Sequence, residues 1–145
     1  MSVWSTHVEG VVTLPDGRRV RGRGLSAGPP HGDELPEYGV YLTATPPPEM
    51  GWESHWVCWP DFRLPRSSAD AIAALEAAYE RAASTRVEVA CDGGTGRTGT
   101  AIALLARFAG VPGDEAVGWV REHYRPRAVE TPWQRRFAAR AALSR

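Results

Sequence analysis

The chain has 145 residues, 43% hydrophobic and 23% charged, a size and composition typical of one soluble globular domain. Seventeen basic and seventeen acidic residues give a formal net charge of zero, so the sequence lacks the overall positive charge of proteins that bind nucleic acids or anionic membranes. All seventeen basic residues are Arg, which excludes chemistry that needs a lysine amine.

The first ten residues, MSVWSTHVEG, lack the charged and apolar regions of a signal peptide. No apolar run in the sequence approaches the ~18 residues that a membrane-spanning helix needs. We therefore expect a cytoplasmic monomer with neither membrane nor nucleic-acid partners. Thiols stay reduced in that compartment, and two cysteines, Cys58 and Cys91, are too few for a disulfide framework or a four-cysteine zinc site. Each cysteine is therefore either a core residue or a reactive group.

Short alternating segments predict β-strands in the first half of the chain. Residues 7–14 and 18–25 flank the turn sequence Pro-Asp-Gly and predict a hairpin. Further strands are predicted over residues 38–44 and 54–59, each after a loop that contains Pro and Gly. The second hairpin strand places three arginines on one face, Arg19, Arg21 and Arg23. We interpret this face as solvated, and the alternative is that it binds an acidic phosphopeptide.

Helical spacing dominates the second half. Ser67 followed by Asp70 predicts a helix N-cap, and apolar residues recur at helical spacing as far as Ala82. After a short strand over residues 87–90, the almost wholly apolar residues 100–110 predict a buried helix. Two more helices are predicted, over residues 114–124 and from Thr131, with Pro132 in the first position of the last one.

These elements predict an α/β fold, because strands precede helices and one strand ends at a glycine-rich turn. We expect a mixed central sheet flanked by helices. A single domain would span residues 1–145, with N-terminal strands and loops in residues 1–58 and the remaining loops and helices in residues 59–145.

Cys91 follows the short strand and begins a glycine-rich turn that leads to Arg97 and Thr98, at the start of the apolar helix. Glycines let successive backbone N–H groups point at one oxyanion, the helix N-terminus adds partial positive charge, and Arg97 offers a bidentate fork. The same field favours the nucleophilic thiolate form of Cys91. The intervening residues, which we expect to bind the anion, are Asp92, Gly93, Gly94, Thr95 and Gly96.

This turn has two other interpretations. A nucleotide-binding P-loop ends in Gly-Lys-Ser/Thr, and the chain has no lysine. Alternatively, the glycines merely connect a strand to a helix, and Cys91 is a buried core thiol.

Three segments resemble motifs of the cysteine-based protein tyrosine phosphatases. The sequence CDGGTGRTG from Cys91 resembles their signature loop, which reads Cys, five residues, Arg, then Ser or Thr. The sequence WPDFRLP, residues 59–65, is similar to their acid loop and places Asp61 thirty residues before Cys91. The sequence ETPWQRRF, residues 130–137, resembles the glutamine loop of the tyrosine-specific branch. The chain is identified as a small member of this superfamily, of the size typical of dual-specificity phosphatases.

This resemblance implies hydrolysis of phosphate monoesters on a phosphoprotein or phosphopeptide, above all on phosphotyrosine, without a metal or other cofactor. Cys91 would attack phosphorus to form phosphocysteine, while Arg97 and the amides of the turn hold the equatorial oxygens. Asp61 would protonate the leaving oxygen and later activate water. The hydroxyl of Thr98 would stabilise the departing thiolate.

Three positions depart from the family pattern. Ala90 replaces the His that usually precedes the nucleophile, and Arg63 replaces a common Gly in the acid loop. Glu130 replaces the first Gln of the glutamine loop, which places the hydrolytic water in the family. Gln134 matches the second Gln, so Glu130 and Gln134 are candidate water-positioning residues. Thr131 followed three residues later by Gln134 is also a capping box, which we favour as the role of Gln134.

Other interpretations of single residues stay open. Asp61 taken alone would be a turn residue after Pro60, and the next candidate acids are then Glu53 and Asp92. Cys58 is interpreted as a strand core residue rather than a redox partner of Cys91. No metal-ligand spacing relates the four histidines, which are His7, His31, His55 and His123.

Two other functions remain as alternatives. A phosphoinositide phosphatase would carry basic residues in the signature loop, where this chain has Asp92. A catalytically silent phosphate-binding module would need neither Asp61 nor Thr98.

Overall fold

A computed structural model describes residues 2–29, 32 and 34–143 of the chain, so His31 lies outside the described residues. The strands of its sheet are β1 (Val11–Thr13), β2 (Arg19–Gly24), β3 (Tyr38–Thr43), β4 (Glu53–Cys58) and β5 (Val87–Cys91). They are ordered β1-β2-β5-β3-β4. Strand β1 is antiparallel to β2, whereas β2, β5, β3 and β4 are mutually parallel, so the mixed sheet and the hairpin are confirmed.

The described residues also form four α-helices, close to the predicted positions: α1 (Ser68–Arg81), α2 (Gly96–Phe108), α3 (Gly113–His123) and α4 (Pro132–Arg140). The Ser67 hydroxyl accepts a hydrogen bond from the Asp70 amide and caps α1, as predicted. Helix α2 begins at Gly96, so its N-terminus lies directly against the glycine-rich turn, as predicted. None of the helices in the described part of the chain is long and apolar enough to cross a bilayer.

One face of the sheet carries the hydrophobic core. Successive strand residues point to opposite faces, so Val87, Val89 and Cys91 lie in the core while Glu88 lies on the other side. The same core cluster contains buried residues from all four helices. The helices therefore pack against one face of the sheet, and Cys91 is the last residue that β5 contributes to the core.

The opposite face carries a buried polar cluster, the Glu88 network, formed by Glu88, Arg21, Arg23, Tyr41 and Trp52. The fully buried Glu88 carboxylate accepts hydrogen bonds from Arg21, Arg23 and the Tyr41 hydroxyl, and that hydroxyl accepts one from the Trp52 indole. The predicted solvated arginine face is therefore wrong for Arg21 and Arg23. Their charges are buried because a carboxylate on the neighbouring strand faces the same side, which the pattern of one strand does not reveal.

The charge of Glu88 is maintained despite burial. Burial by itself raises the pKa of Glu88, but hydrogen bonds from Arg23 and Tyr41 and the charge of Arg21 outweigh it and hold the pKa below its ordinary value. The ionised carboxylate links β2, β3 and β5 three residues before Cys91. The network thus supports the strand that carries the predicted nucleophile.

The carboxyl ends of the four parallel strands lie at one edge of the sheet. The loops after β2, β3, β4 and β5 therefore meet there, including the predicted signature and acid loops. Ligands of open α/β sheets bind at such an edge, and the candidate site lies at this one.

Candidate active site

The signature loop, residues 91–97, connects β5 to α2 and rests on the end of β2. Gly94 has a φ of 75°, in the left-handed region that glycine adopts at little cost. A Cβ on Gly94 would lie 2.6 Å from the Gly24 nitrogen, and a Cβ on Gly24 would lie 2.7 Å from the Gly93 oxygen. Larger residues at these two positions would push the loop away from the sheet.

The Cys91 side chain lies at the base of this loop and is 2% exposed. Its Sγ accepts hydrogen bonds from the Gly94 amide at 3.2 Å and from the Thr98 hydroxyl at 3.0 Å. The N-terminus of α2 begins within the same loop, so its dipole adds positive potential. Two donors and a helix N-terminus are the surroundings that stabilise a thiolate.

Arg97 is buried against the same loop, with 1% of its surface exposed. Its Nη1 donates to the backbone oxygens of Leu42 at 3.1 Å and Trp59 at 3.0 Å, which orients the guanidinium plane. Its Nη2 lies 3.3 Å from Asp92 Oδ2 and 3.4 Å from Asp61 Oδ1, while the buried Nε has no hydrogen-bond partner among the described residues. Nε and Nη2 form one edge of the guanidinium, suited to two oxygens of an anion.

Asp61 reaches Arg97 from the acid loop, residues 59–65, although thirty-six positions separate the two in sequence. The Asp61 side chain is 53% exposed, and its Oδ1 accepts a hydrogen bond from the Phe62 amide at 2.9 Å. Phe62 has a φ of 61°, an uncommon conformation for a bulky residue, so the backbone beside Asp61 is strained.

Side-chain N–H groups hold the acid loop in this position. The Arg63 carbonyl accepts hydrogen bonds from the Trp59 indole at 2.7 Å and the Gln134 amide at 3.2 Å. The Phe62 carbonyl accepts one from the Trp133 indole at 2.5 Å. Trp133 and Gln134 belong to the first turn of α4, so the start of this helix positions the acid loop.

Gln134 serves as the predicted helix cap. Its side-chain Oε1 accepts hydrogen bonds from the backbone N–H groups of Glu130 and Thr131, and its backbone N–H donates to the Thr131 hydroxyl. The capping box is therefore confirmed. The exposed Glu130 side chain occupies the space that a Cβ on Gly96, at the start of α2, would fill. A water-positioning role for Glu130 or Gln134 stays a prediction.

Residues outside the sequence motifs hold the signature loop from its outer side. The Tyr124 hydroxyl donates to the Gly94 oxygen at 2.6 Å, and Arg125 donates to the Gly93 oxygen at 3.1 Å. The Ser26 hydroxyl donates to the backbone carbonyl oxygen of Asp92 at 2.7 Å. These contacts turn the carbonyl oxygens of the loop outward.

No sequence motif indicated a role for Tyr124, Arg125 or Ser26. One signal was available, because a glycine inside a strand indicates close approach of another group, and a Cβ on Gly22 would collide with the Tyr124 ring. Burial raises the pKa of Tyr124 and outweighs the opposing effect of the Arg125 charge, so the phenol stays protonated as a donor.

The remaining candidates, Glu53 and Cys58, are not part of this cluster of side chains. Glu53 is at the opposite end of β4 from the acid loop and is paired with Arg81. Cys58 is half-buried and outside the core cluster, so its predicted core position is wrong; its side chain faces the sheet side opposite Cys91 because it alternates with the buried Val57. No group of three or more possible metal-ligating side chains occurs among residues 2–29, 32 and 34–143.

Comparison with known proteins supplies independent findings. The sequence model of the family described as Protein-tyrosine phosphatase matches residues 40–144, more than half of the chain. The crystal structure of Tk-PTP in the active form is 27% identical in sequence, with a TM-score of 0.62 over 85% of this chain and 90% of that one. A mutant form of Tk-PTP is 28% identical, with a TM-score of 0.62 over 71% of this chain and 74% of that one. No curated protein sequence matches the chain significantly.

Proposed function

This chain belongs to the protein-tyrosine phosphatase family, and from that premise we propose that it hydrolyses phosphate monoesters on phosphoproteins, with phosphotyrosine as the preferred substrate. One observation carries the proposal: Asp61 lies 3.4 Å from Nη2 of Arg97, in the same site as the buried Cys91 sulfur. A nucleophile, an anion-binding fork and an acid thus converge from two separate loops. A module that only bound phosphate would need no acid at that position.

In the first step, the Cys91 thiolate attacks phosphorus opposite the ester oxygen. The S–P bond forms as the P–O ester bond breaks, and Asp61 gives its proton to the leaving oxygen. The Nε–Nη2 edge of Arg97 and the inward N–H groups of the signature loop bind the three equatorial oxygens, where negative charge is distributed in the transition state. The product alcohol or phenol leaves, and phosphocysteine remains.

In the second step, water hydrolyses the phosphocysteine. The Asp61 carboxylate takes a proton from the attacking water, the new P–O bond forms and the S–P bond breaks. The electron pair returns to Cys91 as a thiolate, which the Thr98 hydroxyl, 3.0 Å from Sγ, stabilises. Inorganic phosphate then leaves, and no group outside the chain other than water takes part.

Aromatic residues beside Asp61 support phosphotyrosine as the substrate. Phe62 is 52% and Trp133 is 50% exposed, and both border a depression of about 570 Å³ that also includes Asp61. Exposed aromatic rings beside a polar site suit a substrate ring that must leave water. The Asp92 carboxylate in the signature loop would repel a polyanionic inositol head group, which disfavours phosphoinositides as substrates.

Turnover of matched substrates tests the proposal. Purified protein is assayed in chelator with a phosphotyrosine peptide, its phosphothreonine counterpart and a phosphoinositide, and we expect the highest kcat/KM for phosphotyrosine. Cys91→Ser should abolish turnover and retain peptide binding, because the serine hydroxyl is not ionised near neutral pH while the amides of the loop remain. Residual hydrolysis by Cys91→Ser, or a preference for the phosphoinositide, would contradict the proposal.

A further inference from the structure

A cavity of about 720 Å³ lies beside the signature loop, between the loops that follow β2 and β3. Pockets of roughly 300–1,000 Å³ are typical of ligand-binding sites, so this one can hold a side chain together with part of its backbone. Two carboxylates, those of Asp92 and Glu49, lie among its lining residues. Its apolar lining includes Leu25, Pro46, Pro47, Met50 and Trp52.

Asp92 belongs to both the cavity and the phosphate site. Its side chain is 66% exposed, and its Oδ2 lies 3.3 Å from Arg97 Nη2. A phosphate bound on the Nε–Nη2 edge of Arg97 therefore brings a second anion close to this carboxylate. Two anions at such a distance repel each other, and a cation in the cavity would offset that repulsion.

Of the other two charged side chains that line the cavity, Glu49 favours a cation, and Arg23 directs its charge into the protein. Arg23 lines the cavity, but its guanidinium donates to both oxygens of Glu88 and to the Gly28 carbonyl. Its hydrogen bonds are directed into the protein. Glu49 is exposed on the loop after β3 and adds a second negative charge to that of Asp92.

We propose, as a refinement that rests on the proposed function, that this cavity binds a long basic side chain, Arg or Lys, adjacent to the phosphotyrosine of the substrate. Such a side chain combines an apolar stem with a cationic end, which matches apolar walls beside two carboxylates. In such a substrate, the basic residue and the phosphotyrosine are neighbours in the peptide sequence. The cationic end can therefore reach the Asp92 carboxylate while the phosphate lies on Arg97.

Matched phosphopeptides test this subsite. Peptides differ only at the residues flanking phosphotyrosine, which carry arginine, its neutral isostere citrulline or glutamate, and p-nitrophenyl phosphate serves as a substrate without flanking residues. We expect kcat/KM for the arginine peptide to exceed that for the citrulline peptide by about three- to tenfold at low salt, and less at high salt. Glutamate should lower it further.

The result separates the two proposals. Equal kcat/KM for the arginine and citrulline peptides, with normal turnover of p-nitrophenyl phosphate, would overturn the subsite and leave the phosphatase proposal intact. Absence of turnover with every substrate would overturn both.

Variants locate the effect in the cavity. Glu49→Gln should reduce the preference for arginine over citrulline while leaving kcat/KM for p-nitrophenyl phosphate unchanged, and Glu115→Gln, an exposed position on α3, is the matched control that should change neither. Met50→Arg places a guanidinium in the cavity and should abolish the preference. Thermal unfolding establishes that each variant is folded, and an undiminished preference in folded Met50→Arg would overturn the subsite.

Discussion

The signature loop and the acid loop meet at Arg97, but they are built in opposite ways. The two ends of the signature loop are enclosed: Cys91 is 2% and Arg97 is 1% exposed, and side chains from other elements hold the carbonyl oxygens between them. The acid loop projects toward solvent, with the Asp61 side chain 53% exposed and the backbone held by indole and amide N–H donors.

This difference indicates that phosphate binding and acid catalysis depend on separate sets of contacts. The groups that bind developing charge gain from being fixed in advance, because they then need no reorganisation during the reaction. The acid must protonate leaving groups of different shapes, and it sits on a loop positioned by the start of α4. Changes in one loop should therefore affect different kinetic parameters from changes in the other.

The largest effect that separates the loops is expected for Asp61→Asn. Loss of the proton donor should lower kcat by about 10²- to 10⁴-fold for tyrosyl or alkyl esters and much less for leaving groups that depart readily as anions. The basic limb of the pH profile of kcat/KM should disappear. Steady-state kinetics over a series of leaving groups measures both effects, and an equal loss for every leaving group with an unchanged pH profile would return Asp61 to the role of a turn residue.

Arg97→Lys should have the next largest effect and a different signature. The lysine keeps the charge but loses the bidentate fork, so kcat should fall by about 10²- to 10³-fold for good and poor leaving groups alike. Vanadate should also inhibit this variant less strongly. Near-normal kinetics and inhibition in Arg97→Lys would show that the guanidinium does not bind the phosphate.

Trp133→Phe should produce a smaller effect confined to the acid loop. A phenyl ring replaces the indole, so an aromatic group is kept but the hydrogen bond to the Phe62 carbonyl is lost, and kcat for poor leaving groups should fall about two- to tenfold. Vanadate inhibition should stay at the wild-type value because the signature loop is untouched. Trp119→Phe on α3 is the matched control, and a weaker vanadate inhibition in Trp133→Phe alone would contradict the separation of the two loops.

The smallest effect on activity is expected from the Glu88 network. Its effect is on stability, and acidification should reveal it. The pKa of Glu88 is lower in the folded protein than its ordinary value of 4.5, so this group stabilises the fold above that pH. Its contribution should be lost as the pH falls below 4.5 toward the folded-state pKa. Denaturant unfolding across that range should show that the free energy of unfolding falls less steeply with pH in Glu88→Gln than in wild type. Parallel curves would rule out the Glu88 network as the cause of the loss of stability in acid.

Much of the fold and of the site could be predicted from local sequence. The caps at Ser67 and Thr131 depend on hydrogen bonds between residues three positions apart, so the short pattern is sufficient. The strand, glycine-rich turn and helix around Cys91 are consecutive in the chain. Their geometry follows from neighbouring residues, and the family motif adds to it.

Contacts between distant segments were decided only by the tertiary structure. Arg21 is buried because Glu88, sixty-seven residues later, lies on the adjacent strand. The local sequence, in which arginines alternate with other residues, predicted a solvated side chain. Tyr124 and Arg125 hold the signature loop without belonging to any motif, since the loop oxygens come within their reach only after α3 packs beside α2. The sequence thus determined what each segment forms, and long-range packing determined which charges are buried and which side chains meet at Arg97.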